Sequence, residues 1–241
     1  MYILHAQRSG PSARALAQRL GASCGKDLPP NGTGTEIVRW GSYKPSTQST
    51  ALNRPDAIAK ATDKYMSMEL FQDAGVNVPK FSTDPERLTW PILGRSIRHR
   101  GGKDIVLYVQ RKDLDILGTS EYYIELVPKH DEYRVHVFGR RCAKLSVKTF
   151  EGVERKKYNA IAWNRKAGFR FRRRNEHTPP ISFFSQYAIL AIDALGLDFG
   201  AVDMFIGEDG NVYVTEVNTA PGLCPNTVEV YANNITRLLG R

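Results

Sequence analysis

The apolar and polar positions of this chain predict strands and helices that occur in clusters. Apolar residues recur at helical spacing over residues 55–74 and 181–195, whereas residues 133–138 alternate with the period of two that is typical of a strand. Further strands are predicted over residues 1–7, 36–40, 90–93, 105–109, 122–127 and 142–150, and further helices over residues 12–20 and 227–239. Because strands and helices do not alternate strictly, the pattern favours an α+β fold.

The first 52 residues predict a small unit of their own. We expect a strand, a helix that is capped by Ser12 and ended by Gly21, a loop over residues 24–35 that is rich in Gly, Pro and Asn, and a second strand. This is too little chain for a full independent nucleotide-binding domain. The sequence therefore predicts a shortened N-terminal α/β region over residues 1–52 and a larger domain over residues 53–241.

The composition is that of a soluble globular protein with a surplus of basic residues. The 241 residues include 41% hydrophobic positions, and 34 Lys and Arg stand against 25 Asp and Glu. A formal charge of +9 favours an anionic partner such as a nucleotide, an acidic peptide or a nucleic acid. Three widely spaced cysteines argue against a zinc site and favour a reducing compartment. Because no apolar run is long enough for a membrane span, we expect a cytoplasmic protein without a membrane partner.

Residues 199–218 predict an acidic hairpin. The Asp209-Gly210 pair is a strong signal for a two-residue turn, and the register set by that turn places Asp203 opposite Glu216. Asn218 falls on the same face, two residues further along. Two opposed carboxylates destabilise a sheet unless a cation lies between them, and an all-oxygen set suits Mg²⁺ better than Zn²⁺. A solvated carboxylate pair at a sheet edge is the alternative, and a longer turn would shift the register.

The motif EVNTAPGL at residues 216–223, following Asp203, resembles the signature of the ATP-grasp ligases. That family includes D-alanyl-D-alanine ligase, glutathione synthetase and the ligases that add glutamate to ribosomal protein tails. The overall layout is most similar to compact ATP-grasp proteins of bacteriophage genomes, and the resemblance covers residue 53 to the C-terminus. It implies an ATP-grasp fold in which a lid subdomain over residues 82–126 and a catalytic subdomain over residues 127–241 enclose ATP.

The resemblance also implies ligands for Mg²⁺ and ATP. Asp203, Glu216 and Asn218 match the family's metal ligands, in agreement with the hairpin register. Lys64 matches a lysine that contacts the nucleotide phosphates, and Arg95 stands where most members have a second such lysine. Since a guanidinium is not a compact ammonium, Arg95 departs from the family pattern.

Further cofactor-binding residues follow from the same resemblance. A glycine pair in the lid loop lets backbone N–H groups approach the triphosphate, the backbone of a hinge reads adenine, and two charged residues lie near the ribose and the phosphates. These residues are, in that order, Gly101 and Gly102, then Glu125, Leu126 and Val127, then Glu132 and Arg134.

The reaction implied by the resemblance joins a carboxylate to an amine. The carboxylate attacks the γ-phosphorus of ATP, and the amine then displaces phosphate from the acyl phosphate. No protein nucleophile is needed, so catalysis would depend on positioning and on charge neutralisation. In the basic run of residues 165–174, alternation with Phe169 and Phe171 places Arg170 and Arg172 on one face, and we expect Arg170 or Arg172 to point into the site as a catalytic residue.

The substrate and two other functions stay open. The short N-terminal region favours a peptide or protein terminus as substrate, and it leaves a partner subunit, a dimer contact or the substrate itself to complete the site. The basic run with its phenylalanines would suit a nucleic-acid-binding protein, although that function leaves the acidic hairpin unexplained. The same fold would also suit a kinase, which leaves the phosphoryl group on a small molecule.

Overall fold

The computed structural model describes residues 1–7, 9–29, 35–45, 50–97, 105–150, 168–173 and 175–241. Within these residues, three β-sheets follow one another along the chain, and helices pack against them. One sheet is parallel and two are antiparallel, with helices clustered between the strands, which confirms the predicted α+β class.

The N-terminal region contains a four-stranded parallel sheet with the order β2-β1-β3-β4. The predicted loop over residues 24–35 is wrong at its start, because Cys24 lies in β2 and pairs with Ile3. An edge strand of only three residues gives no periodic pattern, so the sequence alone does not reveal it. The elements are β1 (Tyr2–His5), α1 (Gly10–Leu20), β2 (Ser23–Gly25), β3 (Ile37–Trp40) and β4 (Thr50–Leu52).

Helix α1 begins two residues earlier than predicted, at Gly10. The predicted cap at Ser12 is therefore wrong, because Ser12 lies inside the first turn. Its hydroxyl oxygen accepts a hydrogen bond from the backbone N–H of Leu223 at 3.0 Å. Gly21 ends the helix in the left-handed conformation, as predicted. Ser12 thus fixes the N-terminal region to the segment that follows the acidic hairpin.

The predicted helix over residues 55–74 is two helices, α2 (Pro55–Thr62) and α3 (Lys64–Asp73). Asp63 separates them in an extended conformation with φ −83° and ψ 106°, and its carboxylate accepts the backbone N–H of Met66 at 3.0 Å. The apolar spacing runs through both helices, which is why the sequence predicts one. The break makes Lys64 the first residue of α3.

A four-stranded antiparallel sheet with the order β5-β8-β6-β7 follows α3. Pairing of Ile92 with Tyr108 confirms the predicted hairpin. The glycine pair of its loop, Gly101 and Gly102, lies outside the described residues. The elements are β5 (Phe81–Ser82), a 3₁₀ helix (Pro85–Arg87), β6 (Ile92–Arg95), β7 (Val106–Tyr108), α4 (Asp113–Leu117) and β8 (Tyr122–Glu125).

The central sheet has five antiparallel strands in the order β11-β10-β9-β12-β13. Its strands are β9 (Lys129–Phe138), β10 (Arg141–Phe150), β11 (Phe169–Arg173), β12 (Phe199–Gly207) and β13 (Val212–Asn218). Two helices accompany it, α5 (Ile181–Leu195), whose bounds agree with the prediction, and α6 (Pro225–Leu238).

Strand alternation gives the central sheet an apolar and a polar face. Apolar residues of β9 such as Tyr133 are buried against α5, where the ring of Phe184 lies 4.6 Å from the Tyr133 ring. The alternate residues of β9, namely Glu132, Arg134 and His136, point to the opposite face, which we call the polar face. The polar face therefore carries the charged groups from which a site can be built.

Candidate active site

The acidic hairpin is formed by β12 and β13, and it brings the predicted metal ligands together. Asp203 pairs with Glu216, and Ala201 pairs with Asn218. Directly opposed residues share a face, as do residues two positions apart on one strand. The predicted register at Asp203, Glu216 and Asn218 is confirmed.

This register results from two deviations from the predicted hairpin, a longer turn and a bulge, which cancel each other. The Gly207 N–H donates to the Asn211 carbonyl at 2.9 Å, so the turn holds three residues instead of the predicted two, with Gly210 at φ 80°. A one-residue shift beside Asp203 then restores the pairing. The extra residue of this bulge is Thr215, whose hydroxyl donates to the Asp203 carbonyl at 3.1 Å.

The side chains of the hairpin converge on one point. The amide nitrogen of Asn218 donates to Oδ2 of Asp203 at 3.2 Å and to Oε1 of Glu216 at 3.0 Å. One atom therefore lies within hydrogen-bond distance of both carboxylates. A cation that took the place of this nitrogen, with the Asn218 amide turned to present its oxygen, would contact oxygens from both strands.

Two basic side chains already bind these carboxylates. Arg134 on β9 makes a bidentate pair with Asp203, with Nε–Oδ1 and Nη2–Oδ2 distances of 2.6 and 2.7 Å. The ammonium group of Lys64, at the start of α3, makes an ion pair with Glu216. Lys64 is the first residue of α3, so the break at Asp63, which the sequence does not predict, lies directly beside the lysine that meets Glu216.

The carboxylates differ in how their surroundings affect protonation. Burial raises the pKa of Asp203, and the charge and hydrogen bonds of Arg134 oppose that rise. The positive charge of Lys64 holds the pKa of Glu216 well below its usual range despite burial. Although burial alone would lower the pKa of Arg134, Asp203 raises it. Burial thus dominates the pKa of Asp203, whereas the neighbouring cation dominates that of Glu216.

Lys64 also links the acidic hairpin to the sheet of β5, β6, β7 and β8. Its backbone N–H points to the carbonyl of Ile97 at 3.5 Å, where the glycine loop begins. Arg95 lies two residues earlier, at the end of β6, and pairs with Tyr122. The structure therefore places Lys64 and Arg95 at the same border between α3 and the β5-β8-β6-β7 sheet, while phosphate contact by either residue stays a prediction.

The predicted hinge joins β8 to β9 and is held by backbone hydrogen bonds. The N–H of Glu125 donates to Lys80 at 2.8 Å, and the N–H of Leu126 donates to Pro91 at 3.1 Å. Lys80 also lies 3.4 Å from the Glu125 carboxylate. The backbone N–H groups of Glu125 and Leu126 are therefore already used within the protein, and Val127 follows them in the hinge. Recognition of adenine by these residues stays a prediction.

Glu132 lies on the polar face between two lysines that the sequence does not single out. Its carboxylate makes ion pairs with Lys129 and Lys148, and all three side chains are at most 16% exposed. Lys148 could have been found from the alternation of β10, where polar residues at 144, 146 and 148 flank apolar residues at 145 and 147. The ribose-binding role of Glu132 stays a prediction, and the observed role is to hold two ammonium groups.

The face chosen for the arginines of β11 is wrong. Phe171 lies opposite Lys148, and Arg172 lies opposite Val147, which belongs to the apolar core under α5. Arg170 and Arg172 therefore point to the apolar side of the sheet, and the ring of Phe171 lies on the polar face. Alternation correctly groups these residues, but it does not tell which group faces the site. The structure does not bring Arg170 or Arg172 to the acidic hairpin, and their catalytic role stays a prediction.

A cavity of about 520 Å³ lies beside the acidic hairpin. It is half open to solvent and is lined by the N-terminal region, the end of α2, Lys64 at the start of α3, and the end of β13 with the segment that follows it. Gly41 is required at this junction, because it has φ 71° and a Cβ there would lie 2.8 Å from Cβ of Ala220. The lining residues come from distant parts of the sequence, so no local motif predicts them. They are Ala6, Ser9, Ser12, Gly41, Ala61, Thr62, Lys64, Glu216, Val217, Asn218, Thr219, Ala220 and Gly222.

The donor set suits Mg²⁺ carried by a phosphate ligand. Among the residues that the structure describes, no group of three or more His, Cys, Asp or Glu side chains is placed to hold a metal ion. Asp203, Glu216 and the amide oxygen of Asn218 supply oxygen ligands only, and such a small set leaves coordination positions for phosphate oxygens. Two cations at the same carboxylates could bind the remaining phosphate charge.

Comparison with known proteins assigns the fold. No family model matches the chain. A curated relative, 5-formaminoimidazole-4-carboxamide-1-(beta)-D-ribofuranosyl 5'-monophosphate synthetase of Pyrobaculum neutrophilum, is 30% identical over 143 residues, which are 53% of this chain and 41% of the relative. The chain thus spans less than half the length of that relative.

Solved structures match the whole chain. N5-carboxyaminoimidazole synthetase from Staphylococcus aureus, complexed with ADP, has a TM-score of 0.74 and 15% identity over 100% of this chain and 77% of that chain. The ATP-grasp ligase PsnB, complexed with a minimal precursor, has a TM-score of 0.67 and 14% identity over 97% of this chain and 98% of that chain. The chain has the ATP-grasp fold.

In this ATP-grasp chain, none of the helices within the described ranges has the length and apolar content that crossing a membrane requires.

Proposed function

We propose that the protein is an ATP-dependent ligase that joins a carboxylate to an amine and releases ADP and phosphate. The observation that carries the proposal is the convergence of Asp203, Glu216 and Asn218, paired with Arg134 and Lys64, beside a cavity. The ATP-grasp fold supports it, as do the ADP complex of one structural neighbour and the synthetase names of the relatives.

The polar face would bind Mg-ATP through groups already in place. Asp203, Glu216 and the amide oxygen of Asn218 would hold Mg²⁺, which supplies charge neutralisation at the transferring phosphoryl group. Lys64 would release Glu216 to the metal and donate to phosphate oxygens. Arg134 stays bidentate on Asp203 and fixes both oxygens of that carboxylate in one plane.

The chemistry requires no nucleophile from the protein. An oxygen of the substrate carboxylate forms a bond to the γ-phosphorus as the bond to ADP breaks, which gives an acyl phosphate. The amine nitrogen then bonds to the carbonyl carbon, phosphate leaves, and the amine proton passes to solvent. The chain's contribution is to orient the reactants and to keep water from the acyl phosphate.

The second substrate would occupy the cavity beside Glu216. A volume of about 520 Å³ lies within the range of roughly 300–1,000 Å³ that is typical of small-ligand sites. It admits one small molecule or the last residues of a chain. We therefore propose a peptide or protein terminus as one class of substrate, in keeping with the structural neighbour that was solved with a precursor.

A screen of ADP release over amino acids and short peptides, with Mg-ATP, tests the function. We expect one carboxylate and amine pair to stimulate ADP release together with stoichiometric phosphate and an amide product by mass spectrometry. Glu216→Gln should abolish that stimulation, whereas Glu208→Gln, an exposed residue of the hairpin turn, should not. ADP release with the phosphoryl group retained on the acceptor would identify a kinase instead, and absence of stimulated turnover across the screen would contradict an enzyme of either kind.

A further inference from the structure

Phe171 contacts a cation from each charged cluster of the polar face. Its ring centroid lies 4.1 Å from Cζ of Arg134 and 5.1 Å from Nζ of Lys148. Arg134 is the partner of Asp203, and Lys148 is a partner of Glu132. The ring therefore stands between the group that holds the acidic hairpin and the group that holds Glu132.

The sheet is built so that this ring can reach across it. Phe171 on β11 lies opposite Lys148 on β10, and Arg134 lies one strand further on, opposite Ser146. Ser146 is small and buried, so the space above it is open to the longer side chains on either side. The Phe171 ring and the Arg134 guanidinium meet there. A large residue at 146 would separate them.

We propose that Phe171 is a positioning residue for phosphoryl transfer, and this inference rests on the proposed function. An aromatic face attracts cations, so the ring holds the Arg134 guanidinium plane and thereby the orientation of both Asp203 oxygens. The ring also attracts Lys148, which offsets the repulsion between the Arg134 and Lys148 charges. Because the ring covers the guanidinium, it limits access of water to the Arg134–Asp203 pair.

The contact can be tested without any turnover. The Nε–H resonance of Arg134 in a ¹H–¹⁵N NMR spectrum, assigned by its loss in Arg134→Lys, reports both the ring current and the exchange rate with water. We expect Phe171→Leu and Phe171→Met to shift this resonance and to speed its exchange, and Phe171→Tyr to leave it in place. Phe169→Leu is the matched control, because Phe169 lies on the same strand and packs its ring on Phe150. An unchanged resonance in both Phe171→Leu and Phe171→Met overturns the proposal.

The effect of the Phe171 ring on turnover is tested by kinetics on the same variants. Loss of one desolvated cation–π contact predicts a fall in kcat of about tenfold for Phe171→Leu, with the KM for ATP within about twofold of the wild type. Phe171→Tyr should restore kcat, and Phe169→Leu should keep it. A shifted resonance with unchanged kcat would overturn the positioning role. If the wild type consumes no ATP with any substrate, the proposed function fails, and the NMR result alone still decides whether the ring holds Arg134.

Discussion

Two charged clusters lie side by side on the polar face and differ in the ratio of negative to positive side chains. In the acidic hairpin, the two carboxylates of Asp203 and Glu216 are matched by the cations Arg134 and Lys64. At Glu132, a single carboxylate holds two ammonium groups. In the proposed function, the first cluster would exchange a side-chain cation for a metal ion, and the second would have positive charge left over for an anion. One sheet face would then provide complementary charge for both parts of a metal–phosphate ligand.

The largest expected effect is that of Asp203→Asn, which removes one carboxylate from the acidic hairpin. It removes the bidentate partner of the buried Arg134 guanidinium and leaves Glu216 as the nearby negative charge, and breaking a buried pair costs about 3–5 kcal/mol. We expect the free energy of unfolding in urea to fall by that order and stimulated ADP release to be lost. Glu208→Gln, at an exposed position of the turn, is the control. A variant as stable as the wild type would show that Arg134 does not depend on Asp203.

A smaller effect is expected for Glu132→Gln. Lys129 and Lys148 lose the charge of their shared carboxylate. Since all three side chains are largely buried, we expect the free energy of unfolding in urea to fall by about 2 kcal/mol. The same variant tests the ribose-binding prediction. If Glu132 binds the ribose, the wild type should discriminate ATP from 3'-deoxy-ATP and the variant should not. Equal discrimination by both proteins would show that Glu132 does not bind the ribose and that its role is limited to its ion pairs with Lys129 and Lys148.

The pH dependence of stability tests the ion pair between Lys64 and Glu216. The lowered pKa of Glu216 means that its contribution to stability is complete above its unfolded pKa of about 4.5 and is lost as pH falls below that value. Between pH 6 and pH 3 the wild type should therefore lose more stability than Glu216→Gln. The urea midpoints of both proteins at several pH values measure this difference. Parallel curves would contradict the Lys64–Glu216 pair.

The smallest effect is expected for Arg172→Gln. Because Arg172 lies opposite Val147 on the apolar side of the sheet, we expect less than about a twofold change in ADP release, the range of ordinary surface substitutions. Lys148→Met, on the same sheet but on the polar face, should lower turnover clearly more. A large loss with Arg172→Gln would show that this arginine is needed for the reaction despite its position on the apolar side of the sheet.

The sequence predicts the parts of the site that depend on local geometry. The turn residues and the period of two place Asp203 opposite Glu216, although the real turn and the bulge at Thr215 depart from the ideal hairpin in ways that cancel. The family resemblance points to Lys64 as a phosphate contact, which stays a prediction, and the sequence reveals neither its ion pair with Glu216 nor the break at Asp63, because apolar spacing continues across both helices. It misses Lys148 because a single lysine in a strand is ordinarily a solvated one.

What the sequence determines by itself is the α+β class and the pairing that brings Asp203, Glu216 and Asn218 to one face, since strand period and turn chemistry act over a few residues. Only the tertiary structure decides that Lys64 meets Glu216, 152 positions away, and that Phe171 instead of Arg172 lies on the polar face. The cavity at Gly41 and Ala220 is likewise decided by packing between distant segments. These contacts depend on which faces of separate elements meet, and alternation along one strand carries no information about that choice.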